Sequence, residues 1–172
     1  DNSGFSYPLV CKFPGTDFAW VGRDTSGISN MPASGSGPNI IDKLNNDTTV
    51  PVNVVYVVTL TNKDYPTCTG IEPFTVTVFP TPHLEKIPKD SVCDGTTYAF
   101  AATSLTPGTT FTWYRDAVKG INNNQPASGS TSLISEILDN ELTENVTVKY
   151  KVIMTAYGCS EPGIDSFYVV VK

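Results

Sequence analysis

Charge is scarce in this chain. Asp, Glu, Lys and Arg make up 16% of its 172 residues, the net charge is −6, and Lys and Arg form no run. Neutralising phosphate needs clustered basic side chains, so nucleic-acid binding is not expected, and an anionic membrane surface is disfavoured for the same reason. No stretch approaches the ~18 apolar residues of a membrane span, so membrane insertion is not expected either. Histidine is almost missing. His83, the single one, lies in a Pro-rich joint that would hold a general base poorly, although any Ser-His-Asp or Cys-His site would have to use it. The four cysteines, Cys11, Cys68, Cys93 and Cys159, form no CxxC pair, so a zinc site or a thioredoxin-like motif is poorly supported. Helical signals are scarce, and no motif calls for a cofactor.

What is present is a repeat. Pro14-Gly15-Thr16, Phe18-Ala19-Trp20, Gly27-Ile28 and Pro32-Ala33-Ser34-Gly35-Ser36 return as Pro107-Gly108-Thr109, Phe111-Thr112-Trp113, Gly120-Ile121 and Pro126-Ala127-Ser128-Gly129-Ser130. Self-similarity at a fixed period marks repeated structural units. It predicts two domains, 1–80 and 81–172, joined by a Pro-stiffened boundary at residues 79–83.

Strand signals fill both halves. Val146, Val148, Tyr150 and Val152 alternate with Thr147, Lys149 and Lys151, which sets one face on a core and one in water. Residues 52–60 are the counterpart, and 74–78 and 167–171 read as closing strands. Residues 42–44 and 135–138 read as short strands that end in turns. With turn residues between the strands and a Trp early in each repeat, the pattern predicts an all-β chain of two tandem immunoglobulin-like sandwiches. Tyr7 matches Phe100 and Asp1 matches Asp94. The second repeat has residues 83–87, suited to a first strand, ahead of that point. The first repeat is therefore expected to lack its first strand, either as an ordinary shortened N-terminus or as a piece of a longer array.

Val92-Cys93-Asp94-Gly95-Thr96-Thr97, Pro107-Gly108-Thr109-Thr110-Phe111-Thr112-Trp113, Tyr150-Lys151-Val152 and Tyr157-Gly158-Cys159 resemble the PKD-like repeat of Bacteroidetes surface proteins. The resemblance covers nearly all of 82–172. It covers 1–81 less well, where Cys11 stands at the position of Ser104. It implies extracellular, non-enzymatic modules of large secreted or surface-attached proteins, often cargo of the type 9 secretion system and sometimes adhesins. It carries over no catalytic residue.

The candidate residues follow. Two cysteines per repeat in an oxidising compartment predict disulfides Cys11–Cys68 and Cys93–Cys159. The second requires Cys93 to sit on a first strand that bends back. Asn46 and Asn145 open N-x-Thr sequons, and Thr48 and Ser91 fall in Asp-Ser/Thr-small patterns of O-glycosylation. Asp42, Asn45, Asn46 and Asp47, like Asp139, Asn140, Glu141 and Glu144, offer oxygen ligands, but turn and rim roles account for them better. Trp20, Trp113, Tyr56 and Tyr150 recur at equivalent positions and read as core; Tyr65, Tyr114 and Tyr157 read as surface contacts. The resulting expectation is a structural or adhesion segment at the cell surface. Its partners would be neighbouring modules of the same protein or assembly, and a surface glycan or protein ligand. The rival is a carbohydrate-binding accessory module of a secreted enzyme.

Overall fold

The computed structural model describes residues 4–23, 25–30, 33–160 and 165–172. Asp1 and Pro32, both used in matching the repeats, lie outside these. The chain divides into two compact units, Asp1–Pro80 and Thr81–Lys172.

The first unit carries β1 (Gly4–Pro8), β2 (Thr16–Gly22), β3 (Ile28–Ser29), β4 (Ser34–Ser36), β5 (Asn39–Lys43), β6 (Asn45–Asn46), β7 (Val52–Asn62) and β8 (Thr69–Val78). One sheet runs β4-β2-β7-β8; β1 pairs with β5, and β3 with β6. The second unit carries β9 (Lys89–Val92), β10 (Thr96–Ala101), β11 (Thr110–Arg115), β12 (Ala127–Gly129), β13 (Leu133–Leu138), β14 (Val146–Ala156), β15 (Cys159–Ser160) and β16 (Asp165–Val171). Its large sheet runs β12-β11-β14-β16-β9, with β15 paired to β14, and β10 pairs with β13. Each unit is an immunoglobulin-like sandwich, and the whole is all-β.

The alternation in the sequence sets the faces. Val146, Val148, Tyr150, Val152, Met154 and Ala156 of β14 are all buried. On β7 the buried set is Val54, Tyr56 and Val58. The Trp of each repeat closes the core against the tyrosine of the long strand. Trp20 meets Tyr56 edge-on at 6.0 Å between ring centroids, and Trp113 meets Tyr150 at 6.1 Å. Trp20 is 9% exposed and Trp113 6%.

The recurring Pro-Ala-Ser-Gly-Ser now has a physical reason. Gly35 pairs with Trp20 across β4 and β2, and Gly129 with Trp113 across β12 and β11. A Cβ on Gly35 would stand 2.4 Å from the Trp20 ring, and one on Gly129 2.7 Å from Trp113 Nε1. Only glycine lets the edge strand lie flat on the indole.

One element departs from expectation. Residues 83–87 do not form the first strand of the second unit. Pro82 and Pro88 bracket them, and proline cannot donate to a ladder. The strand begins after Pro88, as β9, and runs parallel to β16 with Lys89 opposite Tyr168 and Val92 opposite Val171. The segment ahead of it is held singly: Leu84 N–H donates to Asp165 Oδ2 at 3.0 Å, and Glu85 N–H to the Thr103 carbonyl at 2.9 Å.

Candidate functional site

The polar residues singled out in the sequence are mostly spent on holding the fold. Asn46, 3% exposed, donates Nδ2–H to the carbonyls of Val50 and Val78, each at 2.8 Å. Its Oδ1 accepts from the Thr48 amide at 2.9 Å and the Thr48 hydroxyl at 2.7 Å. Asn140 repeats the arrangement. It donates to the carbonyls of Glu144 at 2.9 Å and Val171 at 3.4 Å, and accepts from the Leu142 amide at 3.0 Å. Each asparagine thus ties the loop before the long strand to the end of the last strand. Buried side-chain amides in such a place are costly unless satisfied.

This corrects the sequon at Asn46. A buried side chain whose nitrogen makes two hydrogen bonds has no exposed amide to carry a sugar, so the folded unit does not present it. Thr48 is likewise engaged: its hydroxyl lies 2.7 Å from Asn46 Oδ1 and 2.9 Å from the Val50 carbonyl, within donating distance of either. Ser91 on β9 and Asn145 before β14 are exposed.

A second duplicated pair joins the two layers. Tyr56 donates its phenol to Asp42 Oδ2 at 2.5 Å, and Tyr150 donates its phenol to Glu136 Oε1. Burial first, then the neighbouring carboxylate, pushes both phenols above their ordinary pKa. In the second unit Glu136 also accepts from Arg115 Nε at 2.6 Å, and Arg115 Nη1 donates to the Gln125 carbonyl at 2.6 Å. Arg115 is a buried cation. Gly22 holds its place in the first unit, since Gly22 faces Tyr56 as Arg115 faces Tyr150. No sequence signal marked Arg115, because the repeat does not preserve it.

The oxygen-rich stretches resolve the same way. Asp42 serves Tyr56, Asn45 donates to Asp47, and the Asn140 backbone N–H donates to Asp94 Oδ1 at 2.6 Å. Among the described residues no group of three or more His, Cys, Asp or Glu is placed to hold a metal ion. His83 is exposed.

All four cysteines are free thiols, so neither expected disulfide is formed. Cys93 and Cys159 lie at opposite ends of β14. Val92, next to Cys93, faces Val171, which faces Val146; Cys159 faces Ala156. Ten residues of strand separate the two positions, about 33 Å, whereas a disulfide needs Cα atoms within ~7 Å. The strand on which Cys93 was to bend back runs parallel to β16 and carries it to the far end. Cys11 and Cys68 are differently placed. Both line one hollow of about 470 Å³, beside Thr16 and Asn62. The Thr16 hydroxyl and the Phe13 backbone hold the Cys11 thiol below its ordinary pKa.

The aromatic rings are used in packing. Tyr56 stacks on Phe74 at 5.3 Å and Tyr150 on Phe167 at 5.3 Å. Tyr114 lies under the Lys151 ammonium, 5.0 Å from its ring centroid. Tyr65 and Tyr157 are exposed.

With two such units on one chain, the comparison with known proteins is direct. The PKD-like domain family matches residues 4–83 and again residues 90–172. The chain belongs to the PKD-like domain family. Modules of this family are typically non-catalytic, and they usually occur in extracellular or surface proteins as structural or adhesion units. No curated protein matches the chain. Among solved structures, murine CEACAM1b is 14% identical with a TM-score of 0.33, over 100% of this chain and 94% of that one. A match that loose bears on neither fold nor function.

Proposed function

We propose that this PKD-like pair is a non-enzymatic structural and adhesion segment of a larger protein on the outside of a Bacteroidetes-type cell, delivered as type 9 secretion cargo. Its work is mechanical: sandwiches in series hold a binding region away from the surface or pack against neighbouring modules of the same protein or assembly. The observation that carries this reading is the duplication itself. The clusters that recur, Trp20 on Gly35 and Trp113 on Gly129, the tyrosine–carboxylate pairs, and Asn46 and Asn140, all act within their own unit to hold it together. Selection that repeats a scaffold in this way favours length and number over a single reactive site. Exposed Ser91 and Asn145 are the positions at which a surface sugar fits the fold.

The test is replacement in the parent protein. The pair is exchanged for an unrelated pair of sandwiches of equal length, and surface attachment is measured on intact cells. Attachment preserved supports the mechanical role. Attachment lost, with surface display unchanged, moves the function to a ligand-binding face of this pair.

A further inference from the structure

One difference between the two units has the shape of a missing strand. In the second unit the segment ahead of β10 fills the side of the sandwich. Leu84 packs against the core, held by Asp165 and, through Glu85, by Thr103; Val92 packs there too, at the end of β9. In the first unit the corresponding place is a slot of about 320 Å³ between β1 and β8, lined by Tyr7, Val10, Leu60, Glu72 and Phe74 among others. The ladders make Tyr7, Leu60, Glu72 and Phe74 the counterparts of Phe100, Met154, Asp165 and Phe167, and Val10 stands three residues after Tyr7 as Thr103 does after Phe100. The residues that anchor Leu84 and Glu85 in one unit thus have their equivalents, Glu72 and Val10, around an open slot in the other.

Burial records the same gap. Met154 and Phe167 are buried, whereas Leu60 and Phe74 are half-buried. Tyr7 is 47% exposed and Val10 88%. The slot continues into a sheet edge. Among the described residues β8 pairs with β7 alone, while its counterpart β16 pairs with β14 and with β9. The outer edge of Thr75–Val78, the equivalent of Tyr168–Val171, contains no proline and presents backbone groups to a further strand.

We infer that the slot between β1 and β8, with the outer edge of β8, is a seat for an extended segment of the Leu84–Val92 type, running parallel to β8. Its apolar anchor fills the slot as Leu84 does in the second unit, and its last four residues pair with Thr75–Val78 in the register that Lys89–Val92 keeps on Tyr168–Val171. The chemistry required of the occupant is narrow: one large aliphatic residue, and eight positions later the end of a short β-branched or polar strand. Main-chain hydrogen bonds supply the pairing and the anchor supplies selectivity. The second unit's own seat is filled from its own chain at high effective concentration, so it does not compete for a free peptide.

The test uses the whole chain and a synthetic peptide of residues 83–93 carrying Cys93→Ser. Hydrogen exchange is followed in both units. At ten times the dissociation constant, exchange across residues 74–78 should slow about tenfold, with residues 165–171 unchanged. The same peptide with Leu84→Asp should give no protection. No slowing in 74–78 at any peptide concentration overturns the inference, as does equal protection by the Leu84→Asp peptide. Sedimentation of the chain alone is the second measurement. A dimer that protects 74–78 and is not dissociated by the peptide would make a second copy the occupant, and would overturn the assignment to a Leu84–Val92-type segment.

Discussion

Arg115→Met should destabilise the second unit and leave the first untouched. The guanidinium is buried, with 2% of its side chain exposed against 14% for Glu136. It satisfies the Glu136 carboxylate through Nε at 2.6 Å and the Gln125 carbonyl through Nη1 at 2.6 Å. Methionine keeps much of the aliphatic volume, so the loss is electrostatic. Glu136 would retain only the Tyr150 phenol, and the Gln125 carbonyl would lose this donor. Removing one partner of a buried pair costs about 3–5 kcal/mol. For a domain of this size each kcal/mol lowers Tm by about 4–8 °C, so a fall of at least about 12 °C is expected. The assay is thermal unfolding followed by fluorescence in a Trp20→Phe background, where Trp113 is the remaining tryptophan. The double variant Arg115→Met with Glu136→Leu should be more stable than Arg115→Met alone, because no uncompensated charge stays behind. A loss under about 1 kcal/mol for Arg115→Met would refute the reasoning. So would a double variant less stable than the single one.

Gly35→Ala should cost about 1–3 kcal/mol through overpacking, read as a lower denaturation midpoint by Trp20 fluorescence in a Trp113→Phe background; an unchanged midpoint would show that the Trp20 ring can move aside. Tyr56 and Tyr150 have folded-state pKa values raised above the unfolded value near 10. Their contribution to stability is therefore intact below about pH 10 and is lost as pH rises beyond it, where the unfolded chain ionises first. A pH series of unfolding midpoints should fall above that point, and Tyr56→Phe with Tyr150→Phe should flatten the fall. Non-reducing peptide mapping of the folded chain should find no Cys93–Cys159 bond under any oxidant that leaves the fold intact, since β14 keeps the two apart.

What the sequence revealed and what it concealed divide along physical lines. Period-two alternation in 146–152 and the β-branched, aromatic run matching it at 52–60 are local signals; they placed the long strands and, for 146–152, the buried face. The duplicated Phe-x-Trp and Pro-Ala-Ser-Gly-Ser were visible as repeats, but their link was not. Gly35 and Trp20 are neighbours across strands, and only the register shows that a side chain at Gly35 would strike the indole. Residues 83–87 were misread because an apolar run says nothing about whether a ladder partner lies alongside, and the flanking prolines moved pairing to β9. The Cys93–Cys159 pairing failed for a related reason: equal numbers per repeat carry no information on which end of a strand each one occupies. Asn46 looked like a surface acceptor because a sequon is a three-residue pattern, whereas its burial depends on carbonyls as far along the chain as Val78.

The central claim is that two independent PKD-like sandwiches act in series as a mechanical segment. Pulling single molecules from their two ends tests it most directly. The account predicts two separate unfolding events, each lengthening the chain by roughly 3.3–3.6 Å per residue released, in proportion to units of residues 1–80 and 81–172. A single event releasing the whole chain, or extension without any resisting event, would contradict it.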